Sequence, residues 1–196
     1  MSARLISVIG PPAVGKTTLA EQLALELPAE LIREDYAGNP FLAESYAGDE
    51  RARLPGQLYF LISRVGQLSR LCWPDSGLRV SDYGFCQDRI FARVRLAADE
   101  LRLYDRVARR VEGLVCAPDV LVHLDACERT LLGRIARRGR SFERVMDAAF
   151  LSAMREAYNE AAAGARCPVI HVDCDAVDLS NDSARAEVVR RIRQEL

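Results

Sequence analysis

The sequence predicts an α/β protein in which one parallel sheet of five strands is covered by helices on both faces. Three observations predict it. Short apolar segments alternate with longer amphipathic ones from end to end, the order of strand–helix–strand units. The first apolar segment runs straight into Gly10-Pro11-Pro12-Ala13-Val14-Gly15-Lys16-Thr17, which fits the phosphate-loop pattern G-x-x-x-x-G-K-[ST]. Two later apolar segments end in acids, Glu34 and Asp82, where a parallel sheet gathers its ligand-binding groups.

The elements follow in order. Arg4–Ile9 is apolar, rich in β-branched residues and bounded by Gly10, a buried strand. Lys16–Leu27 has apolar residues at 19, 20, 23, 24 and 27, the spacing of one helix face, and Pro28 stops it. Glu30–Glu34 reads as a second strand. Asn39-Pro40-Phe41 opens a short helix. A long helix runs from about Arg53 to Leu71, with Pro55 in its first turn, where a missing N–H costs little. Leu78–Asp82 is the third strand, and Asp88–Arg95 and Asp99–Leu114 are helical. Val120–Leu124 is the fourth strand, an apolar run suited to burial on both faces. Glu128–Arg138 is helical, an arginine-rich turn follows, and Asp147–Ala163 is helical again. Val169–Val172 is the fifth strand and Ala184–Glu195 the last helix. No repeat, linker or low-complexity stretch divides the 196 residues, so one domain over 1–196 is expected.

Composition narrows the function. A net charge of −1 offers no bulk field for a nucleic acid polymer or an anionic membrane. The longest apolar runs are strand-length, well short of a membrane span of about 20 residues. Met1-Ser2-Ala3-Arg4 shows no signal-peptide pattern. Cys72, Cys86, Cys116, Cys127, Cys167 and Cys174 are scattered without a C-x-x-C pair, and there are two histidines. That argues against zinc or a disulfide framework and for reduced thiols in a cytoplasmic protein.

Lys16 is the single lysine beside 26 arginines. A slim ammonium reaches the β- and γ-phosphates of a nucleotide where a planar guanidinium would be too wide. The arginine and alanine richness also fits a coding bias, so this contrast supports the motif without deciding it. The segment from Gly10 through Thr18 is then the triphosphate cradle for ATP or another nucleoside triphosphate, with the Thr17 hydroxyl directed to Mg²⁺. Asp82 is placed to hold the same Mg²⁺ directly or through water, and Glu34 to accept a proton from the attacking group. The alternative for either acid is a helix N-cap. Arg134, Arg138 and Arg140 belong to a run with four arginines in seven residues, and could close as a lid over the transferring phosphoryl. Basic residues also favour helix C-termini for dipole reasons alone. The whole reads as a P-loop NTPase three-layer fold with an arginine-rich lid.

These motifs, in this order, resemble the deoxynucleoside kinases, and most of all their bacterial deoxyadenosine/deoxyguanosine-type branch. The resemblance covers nearly the whole chain. It rests on Glu34 after the second strand and on Asn39-Pro40-Phe41-Leu42, Tyr46, Arg51, Gln57-Leu58-Tyr59-Phe60-Leu61 and Arg64. Ser81-Asp82-Tyr83, Asp88-Arg89-Ile90-Phe91-Ala92 and Val122-His123-Leu124-Asp125 follow in register. Arg138-Gly139-Arg140-Ser141-Phe142-Glu143 and Val172-Asp173-Cys174-Asp175 complete it. The resemblance implies that Gln57 pairs with the nucleobase edge, Phe91 stacks on its face, and Tyr46 and Glu143 hold the sugar 3′-hydroxyl. Asp175 would lie near the donor adenine, and Arg64 with Asp88 would favour purine deoxynucleosides and deoxycytidine. It also implies a homodimer. Read from the residues alone, Gln57 and Arg64 equally fit a polar stripe on a helix, Phe91 fits core, and Arg64 with Asp88 fits a helix-linking ion pair.

Two positions depart from the family pattern. Asp35 stands where a proline usually follows the glutamate, and Tyr83 where an arginine usually follows the strand-end acid. That arginine supports the glutamate, so Arg33, Arg89 or a lid arginine is expected to replace it. Two further functions compete with nucleoside phosphorylation. A thymidylate-kinase-like nucleoside monophosphate kinase would need extra cations in the acceptor pocket, and a non-catalytic nucleotide-binding regulator would need neither catalytic acid nor lid.

Overall fold

A computed structural model describes residues 3–73 and 76–196, and the side chain of Ser141 lies outside that description. Met1 and Ser2, read above as part of a segment without a signal-peptide pattern, also lie outside it. The elements are β1 (Arg4–Ile9), α1 (Lys16–Glu26), β2 (Glu30–Ile32), α2 (Leu42–Ala47), α3 (Arg53–Leu68), β3 (Leu78–Ser81), α4 (Cys86–Arg95), α5 (Ala98–Val111), β4 (Val120–Asp125), α6 (Glu128–Arg138), α7 (Ala148–Ala163), β5 (Val169–Asp173) and α8 (Asp182–Glu195). The five strands form one sheet in the order β2-β3-β1-β4-β5, and every pairing is parallel.

Strand alternation creates two cores. Ile6 and Val8 of β1 and Val120, Val122 and Leu124 of β4 pack with Leu19, Ala20 and Leu23 of α1 and Val188, Val189 and Ile192 of α8. Ile9 and Leu121 point the other way, onto Ile90 of α4 and Met154, Tyr158 and Ala162 of α7. Because both faces are covered, β1 and β4 are largely apolar on both faces, with Ser7 and His123 as their buried polar exceptions. The chain runs from β1 out to β2 on one side and crosses from β3 to β4 on the other, and this reversal opens a crevice beyond the carboxyl ends of these strands.

Several boundaries differ from the sequence reading, each for a local reason. β2 stops at Ile32, two residues before Glu34. The Asp82 N–H still donates to the Ile32 carbonyl at 3.1 Å, but the Glu34 N–H donates at 2.8 Å to the Asp82 carboxylate, so a side chain takes the next rung. α3 ends at Leu68 because Ser69 turns extended, and its hydroxyl accepts from Leu71 N–H to start a 3₁₀ turn over Arg70–Cys72. α5 likewise tightens into a 3₁₀ turn at Glu112–Leu114. α8 begins at Asp182, earlier than the apolar pattern, since Asn181 Oδ1 caps it by accepting from Ser183 N–H.

Candidate active site

The phosphate loop is built as its glycines require. At Gly10 φ is +146°, and a Cβ there would lie 2.2 Å from the Leu124 carbonyl oxygen, so β1 can pass this close to β4 only without a side chain. Gly15 (φ +114°) then turns the chain into α1. Among the described residues no side chain caps α1, which leaves its first N–H groups for an anion. Residues 12–18 line the cleft, while the Gly10 and Pro11 carbonyls accept from Lys16 Nζ at 2.8 and 3.0 Å. Burial lowers the Lys16 pKa to about 8, with Glu34 and Asp82 pulling the other way.

Asp82 ties the loop to the acid beyond β2. Its Oδ2 accepts from the Thr17 hydroxyl at 2.6 Å and its Oδ1 from the Glu34 N–H at 2.8 Å. Neither acid caps a helix: α4 begins after Phe85, and Glu34 lies in the β2–α2 loop. The strand-end placement therefore serves the cleft, as the parallel sheet predicts.

Glu34 Oε1 is held from two sides. Arg64 of α3 donates through Nη2, and Gln87 of α4 through Nε2 at 2.8 Å. Arg64 Nη1 also donates to Asp88 Oδ1 at 2.6 Å. Burial would lower the arginine pKa, but the two carboxylates outweigh it and raise it. Burial pushes the Asp88 carboxyl up to about 6 against the opposing pull of Arg64. The support expected from Arg33, Arg89 or the lid comes instead from Arg64. Arg33 pairs with Glu21, and Arg89 with Asp105 at 3.5 Å. Tyr83, in the place of the usual arginine, is fully buried beside the Arg64 guanidinium and donates its hydroxyl to Gln67 Oε1 at 2.6 Å.

The far end of the cleft gathers Gln57, Tyr46, Phe91, Arg64 and Glu143. Gln57 Oε1, Arg64 Nε and Glu143 Oε2 are buried with no hydrogen-bond partner among the described residues. The Arg95 guanidinium lies 3.6 Å over the Tyr46 ring and donates to the Ser45 carbonyl and hydroxyl. Phe91 lines the cleft and also packs beside the α7 core. Asp88 does not join it: among the described residues, the cleft wall includes Arg64 but not Asp88, which lies behind the arginine. The pair thus presents a cation, and not a donor–acceptor edge, to this end of the cleft.

At the lid, Gly139 (φ +68°) ends α6 and a 3₁₀ turn follows over Ser141–Val145. Arg134 donates to the Val14 carbonyl at 2.7 Å and the Cys174 carbonyl at 3.3 Å, which ties the lid helix to the phosphate loop. Arg138 and Arg140 each lie 3.5 Å from Glu143, and Arg140 also donates to the Tyr36 hydroxyl at 2.9 Å. Arg134, Arg138 and Arg140 all line the cleft. Arg137 bonds only back to its own helix, at Gly133, as the dipole reading describes. Asp175 also departs from expectation. Its Oδ2 accepts from Cys127 N–H at 2.6 Å at the start of α6, and Val177, Asp178, Leu179, Ser180 and Arg185 line the donor end instead.

Sequence reasoning missed Gln87, Tyr158 and Tyr36. Gln87 and Tyr158 read as helix residues with no spacing signal, since their partners come from distant elements. Tyr36 has a weak signal in its place two residues after Glu34.

Known proteins are similar to this chain in sequence and in fold. A deoxyguanosine kinase of Bacillus subtilis (strain 168) is 28% identical, over 90% of this chain and 89% of its own. A deoxyadenosine/deoxycytidine kinase of the same organism is 29% identical, over 93% and 88%. A solved structure of deoxyadenosine kinase from M. mycoides with bound dATP superposes with a TM-score of 0.83 at 20% identity, covering 97% of this chain and 99% of that one. The deoxynucleoside kinase profile matches residues 6–196, from the first strand through phosphate loop, lid and last helix, and the chain belongs to the deoxynucleoside kinase family.

Proposed function

We propose that the enzyme transfers the γ-phosphoryl group of ATP, or another nucleoside triphosphate, to the 5′-hydroxyl of a deoxynucleoside. The observation that carries this is one cleft of about 760 Å³ that runs from Lys16 and Thr17 past Glu34 to Gln57, Phe91 and Glu143. Glu34 takes the hydroxyl proton as the nucleoside oxygen forms its bond to phosphorus and the bond to the departing diphosphate breaks. Lys16 and the arginines Arg134, Arg138 and Arg140 compensate the charge on the transferring group. Thr17 and Asp82 supply two hard oxygen ligands, a set that suits Mg²⁺ completed by phosphate and water. When bound there, the ion would neutralise charge on the β- and γ-phosphates.

Purine deoxynucleosides are the favoured acceptors in this reading and deoxycytidine the next. Support comes from Arg64 facing the acceptor end, from the unpaired Gln57 Oε1, and from the substrates in the two relatives' names. The monophosphate-kinase alternative loses ground on one point. Glu34 and Asp88 already balance the Arg64 charge, which leaves little net positive charge there for an acceptor phosphate. Six free cysteines and the family suggest nucleotide salvage in the cytoplasm, and the enzyme as a homodimer.

A coupled assay over the four deoxynucleosides and their monophosphates tests the reaction. Turnover confined to nucleosides is expected; turnover of monophosphates alone would falsify it. Glu34→Gln should lower kcat by about 10²–10⁴ with nucleoside affinity largely kept, the usual worth of a positioned base.

A further inference from the structure

We propose that Gln87, fixed in turn by Tyr158, is a positioning residue that sets the catalytic rotamer of Glu34. This rests on Glu34 acting as the base. Two helices converge on one carboxylate oxygen, and a third supports one of them. Arg64 from α3 and Gln87 from α4 both donate to Oε1, and no donor among the described residues reaches Oε2. Two donors on one oxygen fix both the position and the plane of the carboxylate. They leave Oε2 as the atom that meets the nucleoside hydroxyl.

Gln87 lines the cleft, but each end of its amide already has a protein partner. It is 3% exposed, and both ends of its amide are committed, Nε2 to Glu34 and Oε1 to the Tyr158 hydroxyl at 2.8 Å. The Tyr158 contact decides which way the amide faces. A phenol that donates to Oε1 turns the NH₂ toward Glu34, whereas a flipped amide would set a carbonyl oxygen against the carboxylate. Tyr158 is itself fully buried, and burial raises its pKa well above 10, so it remains a neutral donor at every working pH. Its ring lies 5.9 Å beneath Lys16 Nζ, which places base and phosphate-loop lysine on one support from α7.

Arg64 alone would not do the same. Its second Nη is spent on Asp88, so it makes a single contact to Glu34 about which the carboxylate can pivot. Gln87 removes that freedom. A misplacement of about 1 Å at a reacting group is worth about 10²-fold in rate, which sets the size of the expected effect.

The experiment places Gln87→Leu, Tyr158→Phe and their combination in the wild-type and Glu34→Ala backgrounds. It measures kcat and KM with radiolabelled triphosphate, and checks folding by thermal melts. Gln87→Leu should lower kcat by about 10–100-fold with KM for the nucleoside changed less than about threefold. Tyr158→Phe keeps the ring under Lys16 and should cause a smaller loss of the same kind. The double variant should be no worse than Gln87→Leu, because Tyr158 acts through Gln87. In Glu34→Ala, neither substitution should lower the residual rate further, since there is no carboxylate left to place. A purely structural role would lower it in both backgrounds, and that result overturns the proposal. So does a raised KM with kcat intact, which would make Gln87 a nucleoside ligand. If Gln87→Leu melts early, the Tyr158→Phe cycle against Glu34→Ala decides by the same criterion. Full turnover in Glu34→Ala itself is a separate outcome: it removes the base reading, and this one with it.

Discussion

The Glu34 backbone N–H donates to Asp82 Oδ1 at 2.8 Å, so the acid beside the phosphate loop anchors the main chain of the acid that faces the acceptor. The other oxygen of the same carboxylate takes the Thr17 hydroxyl. One side chain on the sheet's edge therefore joins the start of α1, the end of β3 and the loop after β2. Any group that draws on Asp82 also bears on where Glu34 stands.

Asp82→Asn separates the two duties. The amide oxygen can still accept from Glu34 N–H, but the negative charge available to a cation is gone. Turnover should fall by at least about tenfold and the Mg²⁺ concentration for half-maximal rate should rise, while the thermal midpoint moves little. Titration of activity with Mg²⁺ reads this directly. An unchanged Mg²⁺ requirement would place the ion elsewhere.

Lys16 makes a pH-dependent prediction. In the free enzyme burial lowers its pKa from 10.5 to about 8. Below pH 8 both folded and unfolded chains carry the proton, and the buried ammonium costs stability. Between pH 8 and 10.5 the unfolded chain binds more protons than the folded one, so this contribution to stability rises with pH across that window. Lys16→Met should flatten the rise. A bound triphosphate favours the charged ammonium, so nucleotide binding near pH 8.5 should take up a proton. Calorimetry in two buffers of different ionisation enthalpy measures the uptake. The wild type should show it and Lys16→Met should not. Lys16→Ala should also abolish phosphoryl transfer in a folded protein, and turnover within tenfold of wild type would remove the loop from the mechanism.

The elements that local chemistry dictates were legible in the sequence. Strands β1 and β4 announce themselves because burial on both faces demands largely apolar runs, and the phosphate loop because only glycine fits at positions 10 and 15. What could not be read was any group whose role depends on packing between distant elements. Arg64 replaces the expected arginine at 83 through a contact across 30 positions, and Gln87 reaches Glu34 across 53. Asp175 illustrates the reverse: later residues of its loop line the cleft, yet a helix N-terminus captured its own side chain. Sequence spacing located the site's backbone, and the orientation of long polar side chains was decided by competition among partners.

The proposed homodimer is tested on α3. This helix buries Gln57 and Arg64 at the cleft and Leu61 and Leu68 in the core, yet Ile62 on it remains 59% exposed and Leu71 just beyond it 87% exposed. Light scattering at micromolar concentration should give about twice the 21.8 kDa chain mass. Ile62→Arg should shift the mass toward one chain, because an isologous interface doubles the buried charge. A wild-type monomer mass would count against the dimer.

In the proposed reading acceptor choice turns on Arg64, and the structure changes how it must be tested. With Asp88 set behind it, Arg64 faces the cleft as a cation whose Nε is unpaired, beside Gln57, whose Oε1 lacks a donor. A purine offers N7 or a carbonyl to the first and, through an exocyclic amine or ring N–H, a donor to the second. A thymine methyl turned toward the guanidinium would desolvate charge without a hydrogen bond in return. The expected order of kcat/KM is deoxyadenosine or deoxyguanosine, then deoxycytidine, then thymidine. Arg64→Val/Asp88→Ala has two consequences, since Arg64 also holds Glu34. Turnover should fall with every acceptor, so absolute rates cannot report specificity. The ratio of kcat/KM for thymidine to that for deoxyadenosine can, because loss of Glu34 support divides out. That ratio should rise by at least about tenfold, the discrimination available from one base-edge contact. If the pair merely links α3 to α4, all four rates drop together and the ratio stays put. Thymidine as the best wild-type acceptor would sink the assignment before any variant is made.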